Sequence, residues 1–435
     1  MLLCYVTIAR SSLSCMLIAS AMAIQNTNGN SGQLRDNNPK VAIIGAGLTG
    51  LIAAQGLKNV NVDRYQNGFN VVVFERDESI AARPRDWSIL IGWGMNTLRE
   101  LLPEQIVKNF PQGICNPHLE FNDWDESIIG YNGATGEVMF QNSTPGARRI
   151  SRRRLRKVLA EGLDVRWGKY LDRIESNSTS VELAFRDGDT YEADYVLGTD
   201  GVSSKVRELL VGVEKARPVP SGYSIANCVC KYGDAEKVKA VVKAHSVCAL
   251  MLGTANLAGC GVMSAEDPND VASWETFWVK VWRGHSVSLN GQEAIDFAKK
   301  DLSGICEPFS SALEWTPEGS SCYLDEMKYW LPSPWKTHDG RVTLAGDAAH
   351  PMLPFRGQGL QHAIIDVQNY INALVKLRDS REATSRKDIM AAYGADVVER
   401  GSVAVAQALK EAENSLNPDT VGDMLMVTKG HGRSI

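Results

Sequence analysis

Residues Lys40 to Gly50, with the sequence KVAIIGAGLTG, decide the fold of this chain. Val41–Ile44 is an apolar run rich in β-branched residues, which predicts a buried strand. The glycines that follow indicate a tight turn, and the apolar stretch Leu48–Leu57 predicts a helix. A second apolar run, Val71–Phe74, predicts the next strand. Strand, turn, helix and strand form a βαβ unit, for which we expect a parallel sheet and a right-handed crossover.

The spacing of the glycines predicts a turn that binds a dinucleotide. In Gly45-Ala-Gly47-Leu-Thr-Gly50, the first glycine permits the tight turn and the second lets the backbone approach a pyrophosphate. The third allows the helix to pack closely on the strand. Glu75 ends the second strand, where a carboxylate accepts hydrogen bonds from ribose hydroxyls and repels a 2′-phosphate. This site therefore favours FAD or NAD over NADP.

Two later stretches also combine a predicted strand with an aspartate. The first is Gly198-Thr-Asp200-Gly201, which follows the apolar run at 193–197 and which on its own is also typical of an ordinary turn. The second follows the strand predicted at 341–345 and runs from Gly346-Asp347 through His350-Pro351 to Gly359-Leu360. A long helix is predicted from there to residue 377. The second stretch is long, and its pattern is more specific for a cofactor site than the Asp-Gly turn of the first.

These motifs, in this order and separation, resemble the para-hydroxybenzoate hydroxylase-like FAD-dependent monooxygenases. Within that class the chain looks most similar to fungal FAD-dependent monooxygenases of secondary metabolism, and Pro84-Arg-Asp-Trp87 and the stretch 341–351 carry this closer likeness. The resemblance covers residues 40 to about 375, although residues 218–334 match in character rather than in motif.

The resemblance implies a set of contacts with FAD. It assigns the ADP half to Gly45, Gly47, Gly50 and Glu75. Arg152, which precedes a Leu-containing helix, fits the position of a cofactor-binding arginine, but its neighbours Arg153 and Arg154 leave that assignment open by one or two residues. Asp200 is implied to support the pyrophosphate and the use of NADPH, and Asp347 to bind the ribityl chain. The backbone of Gly359 and Leu360 is implied to lie beside the isoalloxazine.

Three further residues are candidates for a place in the active site, close to the flavin ring or the substrate. Tyr223 could activate or orient a phenolic substrate, or it could be a core tyrosine. Arg356 could contact flavin or substrate, or face water. His350 resembles a catalytic base, but in this setting we favour a packing role.

The pattern along the chain predicts an α/β fold with a discontinuous, Rossmann-like FAD-binding domain and an inserted substrate domain on an antiparallel sheet. We expect an N-terminal extension at 1–39, the first part of the FAD-binding domain at 40–217, the β-rich substrate domain at 218–334, and the second part with C-terminal helices at 335–435. Residues 1–24 allow two interpretations, a signal peptide or weak membrane anchor and an unstructured extension.

Composition narrows the range of partners. The net charge of −5, from 46 basic and 51 acidic residues, gives no basic face for a nucleic acid. Nine scattered cysteines without metal-ligand spacing indicate free thiols in a reducing compartment, so we expect a cytoplasmic protein without a metal site. A membrane contact is expected only through residues 1–24.

The resemblance implies a monooxygenase that uses FAD, O₂ and NADPH or NADH to hydroxylate or epoxidise a small aromatic or apolar metabolite. An FAD-dependent dehydrogenase or reductase of the same fold is the alternative. A binding scaffold without turnover does not account for three intact cofactor motifs, and a plain NAD dehydrogenase leaves residues 346–360 without a purpose.

Overall fold

A computed structural model of the chain describes residues 38–60, 68–379, 385–430 and residue 432. The two interpretations of residues 1–24 concern a segment outside this range. The strands, in chain order, are β1 (Lys40–Ile44), β2 (Asn70–Phe74), β3 (Ser88–Ile91), β4 (Ser127–Asn132), β5 (Val138–Ser143), β6 (Arg148–Ser151), β7 (Val165–Arg166), β8 (Leu171–Ser176), β9 (Val181–Phe185), β10 (Thr190–Ala193), β11 (Tyr195–Gly198), β12 (Val219–Cys230), β13 (Cys248–Leu252), β14 (Asn256–Ser264), β15 (Glu275–Arg283), β16 (Leu289–Asn290), β17 (Ser321–Tyr329) and β18 (Val342–Leu344). The α-helices are α1 (Leu48–Val60), α2 (Met95–Leu101), α3 (Glu104–Asn109), α4 (Arg152–Ala160), α5 (Lys205–Val211), α6 (Val213–Ala216), α7 (Ala235–Val242), α8 (Gly291–Lys299), α9 (Phe309–Glu314), α10 (Gly359–Asp379), α11 (Arg386–Ser415) and α12 (Leu425–Thr428).

A five-stranded parallel sheet holds the first motif. Its order is β18-β11-β1-β2-β7, and every neighbouring pair runs parallel. The residues of β1 from Val41 to Ile44 are buried, because α1 packs against β1 and β2 and other apolar side chains of the same cluster enclose the strand. Strands buried on both faces are continuously apolar, which explains the sequence of β1.

The glycine turn joins β1 to α1 at very short range. Gly45 has a φ of 108°, a region that disfavours side chains, and its N–H donates to Phe74 O at 2.7 Å. A Cβ placed on Gly50 would lie 2.0 Å from Gly45 O. The helix can therefore approach the strand only because position 50 has no side chain.

A mainly antiparallel sheet of eight strands forms the second layer, in the order β16-β17-β12-β15-β14-β13-β4-β5. The sequence places this sheet within residues 218–334, but β4 and β5 come from the first segment of the chain. They join through a parallel pairing of β4 with β13, in which Ile129 lies opposite Ala249. The eight-stranded sheet thus includes two strands from outside residues 218–334, because a pairing across more than a hundred residues leaves no local signal.

The chain returns to the parallel sheet through β18, which pairs with β11, and then enters α10. The long helix α11 packs against α10, and Tyr393 on α11 donates its hydroxyl hydrogen to Leu344 O on β18 at 2.9 Å. The predicted α/β class, a parallel sheet interrupted by an antiparallel one, is confirmed. In the described part of the chain, no helix has the length and hydropathy needed to cross a membrane.

Candidate active site

A continuous cleft lies between the carboxyl ends of the parallel strands and the eight-stranded sheet. It consists of a smaller cavity of about 330 Å³ beside Glu75 and a larger one of about 500 Å³ against the eight-stranded sheet. Residues from all three sequence motifs line both cavities and so mark their junction. They include Gly47, Thr199, Gly201 and Asp347, together with Trp87 and Arg152.

At the glycine turn the cleft is open to backbone contact. A Cβ on Gly47 would meet no atom within 4 Å, so the main chain itself faces the cleft. Glu75 lies beside it, where its Oε2 accepts from Ala46 N at 2.8 Å and its Oε1 from Asp77 N at 3.1 Å. The predicted acidic residue is therefore fixed at the wall of the smaller cavity.

Arg156 supports this arrangement and was not among the predicted site residues. Its Nε donates to Ala46 O at 2.7 Å, and a terminal nitrogen lies 3.6 Å from Glu75 and 3.7 Å from Asp77. Burial lowers its pKa, while the two carboxylates act in the opposite direction. Arg156 follows Arg152 by four residues on α4, and that spacing, which places both on one helix face, is the signal that could have identified it.

The three consecutive arginines separate in space. The Arg152 guanidinium lines both cavities, with its carbon 4.6 Å from the centre of the Trp87 ring. Arg153 N donates to Asp86 at 3.0 Å, and its exposed guanidinium lies 3.8 Å from the same carboxylate. Arg154 instead donates to a hydroxyl and a carbonyl of β14, at 2.7 and 2.8 Å. Of the three, Arg152 is the one whose charge faces the cleft.

Asp200 stabilises a helix terminus. Its carboxylate accepts from the hydroxyl of Ser204 at 2.5 Å and from the backbone of Lys205 and Val206 at 2.6 and 3.1 Å, which caps α5. Burial raises its pKa although these hydrogen bonds oppose that shift. The residue lines the smaller cavity, but its carboxylate is engaged by the protein.

The carboxylate of Asp347, unlike that of Asp200, has no hydrogen-bond donor among the described residues. Protein atoms surround the residue, yet its side chain is exposed into the cleft, and no described residue donates a hydrogen bond to its carboxylate. Burial raises its pKa, and the charges of His350, Arg152 and Arg207 partly counter this effect. A carboxylate in such a position is ready to accept a hydrogen bond from a bound molecule.

The buried Arg207 holds the second and third motifs together. It donates to the carbonyls of Val202 and Ala216, and also to Ala348 O at 2.9 Å and Asp347 O at 3.4 Å. Burial lowers its pKa to about 10. The loop that carries the cleft-facing carboxylate is thus anchored to the loop after β11.

The start of α10 forms one wall of the larger cavity. Gly357 has a φ of 60°, and the predicted residues Gly359 and Leu360 line the cavity. Gln361, fully buried, donates to Gly357 O at 3.1 Å and accepts from two backbone N–H groups of the 92–94 turn. Arg356 also lines this cavity and donates to Gln407 on α11.

The structure places Tyr223 outside the lining of the cleft. Its ring packs edge-on against Phe355 with 5.9 Å between ring centres, and its hydroxyl accepts from Arg283 at 3.3 Å. Phe355 lines the larger cavity, and Tyr223 is not among its lining residues. Of the two interpretations of Tyr223, this position agrees with the core tyrosine.

His350 belongs to a buried polar network. Its Nε2 lies 2.6 Å from Asp366, which also accepts from Gly346 N at 2.8 Å and from Arg400 at 2.9 Å. Burial opposes protonation of His350, but the facing carboxylate outweighs it and the pKa is raised. The network fixes the start of the third motif. Among the described residues, no cluster of histidine, cysteine and acidic side chains is arranged to bind a metal ion.

These residues fit FAD. The open backbone at Gly47 leaves room for a pyrophosphate, and the unpartnered carboxylate of Asp347 can accept from a ribityl hydroxyl. The family model described as "FAD binding domain" matches residues 38–408. The chain belongs to this family. Its relatives place it among the flavin-dependent monooxygenases, which are oxidoreductases.

Two fungal members of the FAD-binding-domain family illustrate the similarity. The FAD-dependent monooxygenase phnB of Penicillium herquei is 32% identical over 380 residues, which cover 86% of this chain and 90% of the relative. The FAD-dependent monooxygenase cctM of Talaromyces islandicus is 31% identical over 372 residues, 85% of this chain and 91% of the relative. Among solved structures, Klebsiella pneumoniae HpxO in complex with FAD and uric acid has a TM-score of 0.70 at 18% identity and covers 91% of this chain and 93% of that chain. The likeness to HpxO is one of fold.

Proposed function

We propose that this chain uses NADPH or NADH as reductant and O₂ as oxidant to hydroxylate or epoxidise a small aromatic or apolar intermediate of fungal secondary metabolism. The observation that supports this most directly is the continuity of the cleft. A cavity lined by several charged side chains beside Glu75 adjoins, at Asp347, a larger cavity whose sheet-side wall is largely apolar. One end suits a nucleotide, and the other suits an apolar molecule beside a ring system.

In this proposal the residues of the chain divide into three tasks. Gly45, Gly47, Gly50 and Glu75 hold the ADP half of FAD, and Arg156 keeps Glu75 in place. Asp200 caps α5 and thereby shapes the loop at the pyrophosphate.

At the other end, Asp347 accepts hydrogen bonds from the ribityl chain, and Arg152 lies at the junction of the two cavities. The backbone of Gly359 and Leu360 opens α10, whose N-terminus offers positive potential to the isoalloxazine. When bound, FAD supplies the transfer of electrons from the nicotinamide to O₂ and of one oxygen atom to the substrate.

The larger cavity provides the substrate site. Its wall from the eight-stranded sheet is built from aliphatic side chains that exclude water from the reacting atoms, chiefly Ile225, Leu250, Leu257, Val279 and Val281. Arg356, fixed by Gln407, adds a positive charge at the end next to α10.

A reductase of the same fold is the alternative, and isotopically labelled O₂ separates the two. The purified protein is first tested for visible flavin absorbance and for its anaerobic loss with NADPH and with NADH. An extract from a host strain that lacks the gene then supplies the accumulated substrate. We expect one labelled oxygen atom in the product, whereas product formation without label would establish the reductase.

A further inference from the structure

Among the described residues, Arg149 is one of four arginines that line the larger cavity, with Arg85, Arg152 and Arg356. Arg149 lies on β6 and lines this cavity. Its Nε donates to Ser88 Oγ at 2.9 Å, and its guanidinium carbon lies 4.6 Å from the centre of the Phe277 ring. The hydroxyl and the ring hold the inner side of the guanidinium, which leaves the two terminal nitrogens available to a ligand.

Within the described chain, Arg149 has no acidic partner within ion-pair distance. Two neighbouring arginines do: Arg148 lies 2.7 Å from Glu126, and Arg85 lies 2.6 Å from Asp325. A cation that lines an apolar cavity without a carboxylate is costly unless something compensates it.

Two titratable groups close to Arg149, His245 and Cys248, are neutral. His245 accepts at Nδ1 from the backbone N–H of Val247 and Cys248, both at 3.1 Å, and its Nε2 lies 2.7 Å from Trp124 O. This pattern is that of the uncharged imidazole with its hydrogen on Nε2. Burial lowers the pKa of His245, and burial raises the pKa of the Cys248 thiol, so neither carries charge. The carboxylates in these surroundings are engaged by other groups, Asp86 by Ser151 and Arg153 and Asp125 by Ser246.

Asn227 adds a polar group to the same wall. It lies on β12 opposite Val279 of β15, and Phe277, on which Arg149 stacks, is two positions from Val279 and so on the same face of the sheet. The Asn227 side chain lines the cavity, and no described residue forms a hydrogen bond with it. Apart from these two groups, this part of the wall is built mainly of apolar side chains, such as Ile225.

We propose that Arg149, assisted by Asn227, binds an anionic oxygen of the substrate, so that the enzyme selects acidic molecules over neutral analogues with the same ring. The inference rests on the proposed function in taking the larger cavity as the substrate site. The guanidinium attracts a carboxylate or a phenolate, and the carboxamide donates a further hydrogen bond to it. The acidic group is then held at the part of the wall that carries Arg149 of β6 and Asn227 of β12.

Two matched pairs of probes test the preference by isothermal titration calorimetry of the full chain. The pair 2-naphthoate and 2-naphthamide reports a carboxylate, and the pair 4-nitrophenolate and 4-nitroanisole reports a phenolate. We expect the anion of at least one pair to bind about 10- to 100-fold more tightly than its neutral partner. The Arg149→Gln variant should lose that preference, Arg149→Lys should keep part of it because the charge remains, and Asn227→Leu should reduce it by a smaller factor.

Arg148→Gln is the matched control, since Arg148 precedes Arg149 on the same strand and is paired with Glu126. It should leave the preference unchanged. The inference is overturned if neither anion is preferred, if neither pair binds, or if Arg149→Gln and Arg149→Lys, both folded by circular dichroism, keep the full preference. Failure of the proposed function is seen separately, as a protein that binds no FAD, because the calorimetry needs no turnover.

Discussion

The exposure of Asp347 into the cleft predicts that this carboxylate serves cofactor binding and contributes nothing to folding. We consider the Asp347→Ala variant. The native carboxylate accepts no hydrogen bond from any described residue, and burial raises its pKa, so the ionised form is disfavoured in the FAD-free protein. Alanine removes this disfavoured charge without leaving a broken hydrogen bond. The FAD-free variant should therefore be at least as stable as the native chain.

The same Asp347→Ala variant should bind FAD more weakly than the native chain. A hydrogen bond to a charged group contributes about 1.5–3 kcal/mol. Since each 1.4 kcal/mol corresponds to about a factor of ten, the dissociation constant of FAD should rise by about 10- to 150-fold. An asparagine at the same position keeps an acceptor without the charge and should fall between the native chain and alanine.

The assay combines quenching of flavin fluorescence, titrated into the FAD-free protein, with thermal unfolding of the same preparation. Asp200→Ala is the control, because that carboxylate caps α5 and its loss should cost about 0.5–2 kcal/mol of stability. The reasoning is refuted if Asp347→Ala retains native FAD affinity, or if it destabilises the FAD-free chain as much as Asp200→Ala does.

Three further perturbations have distinct expected outcomes. In Gly50→Ala the new Cβ would lie 2.0 Å from Gly45 O, so we expect the variant to be destabilised by about 1–3 kcal/mol and to retain little flavin on purification. Normal flavin retention would contradict the close packing of α1 on the glycine turn. Arg156→Met should weaken FAD binding, measured by the same titration, because Glu75 loses its buried partner. The control is Arg83→Met, which removes the more exposed ion pair with Asp77 and should change the free energy of FAD binding by no more than about 1 kcal/mol. Equal effects of the two variants would argue against a role of Arg156 in positioning Glu75. Burial disfavours the protonated form of His350, but the carboxylate of Asp366 outweighs burial and raises the pKa of His350 in the folded protein. The stabilisation from this ion pair is therefore complete below about pH 6.5, the usual pKa of histidine, and is lost as the pH rises through the folded-state pKa. The difference in unfolding free energy between native and His350→Gln protein should shrink from about pH 6 to about pH 9, and a constant difference would count against this.

Local patterns made the parallel sheet predictable. The apolar run at Val41–Ile44, the glycine turn and the helix at Leu48 carry their own periodicity, and each lies within one residue of its predicted start. The pairing of β4 with β13 was not predictable, because it is fixed by the shape of the second layer and not by any neighbouring residue.

The candidate site shows the same division between local and non-local information. Asp347 and Asp200 both follow strands and look alike in sequence, yet one faces the cleft and the other caps α5. Alternation along β12 gives Tyr223 the same face as Ile225 and Asn227. It does not reveal that Tyr223 packs against Phe355, from a distant segment, and does not line the cavity. Arg149 carried no motif, and its lack of an acidic partner became visible only in three dimensions.

The position of β18 has a consequence for the synthesis of this protein. The strand and the loop that bears Asp347 are translated after the whole eight-stranded layer, although they complete a sheet begun by β1 some three hundred residues earlier. A ribosome-bound chain consequently lacks three of the nine residues proposed to contact FAD, Asp347, Gly359 and Leu360, until most of the chain has been synthesised. FAD therefore binds late in synthesis, after most of the chain has been translated. Cells starved of riboflavin should accumulate full-length, colourless polypeptide rather than arrested fragments.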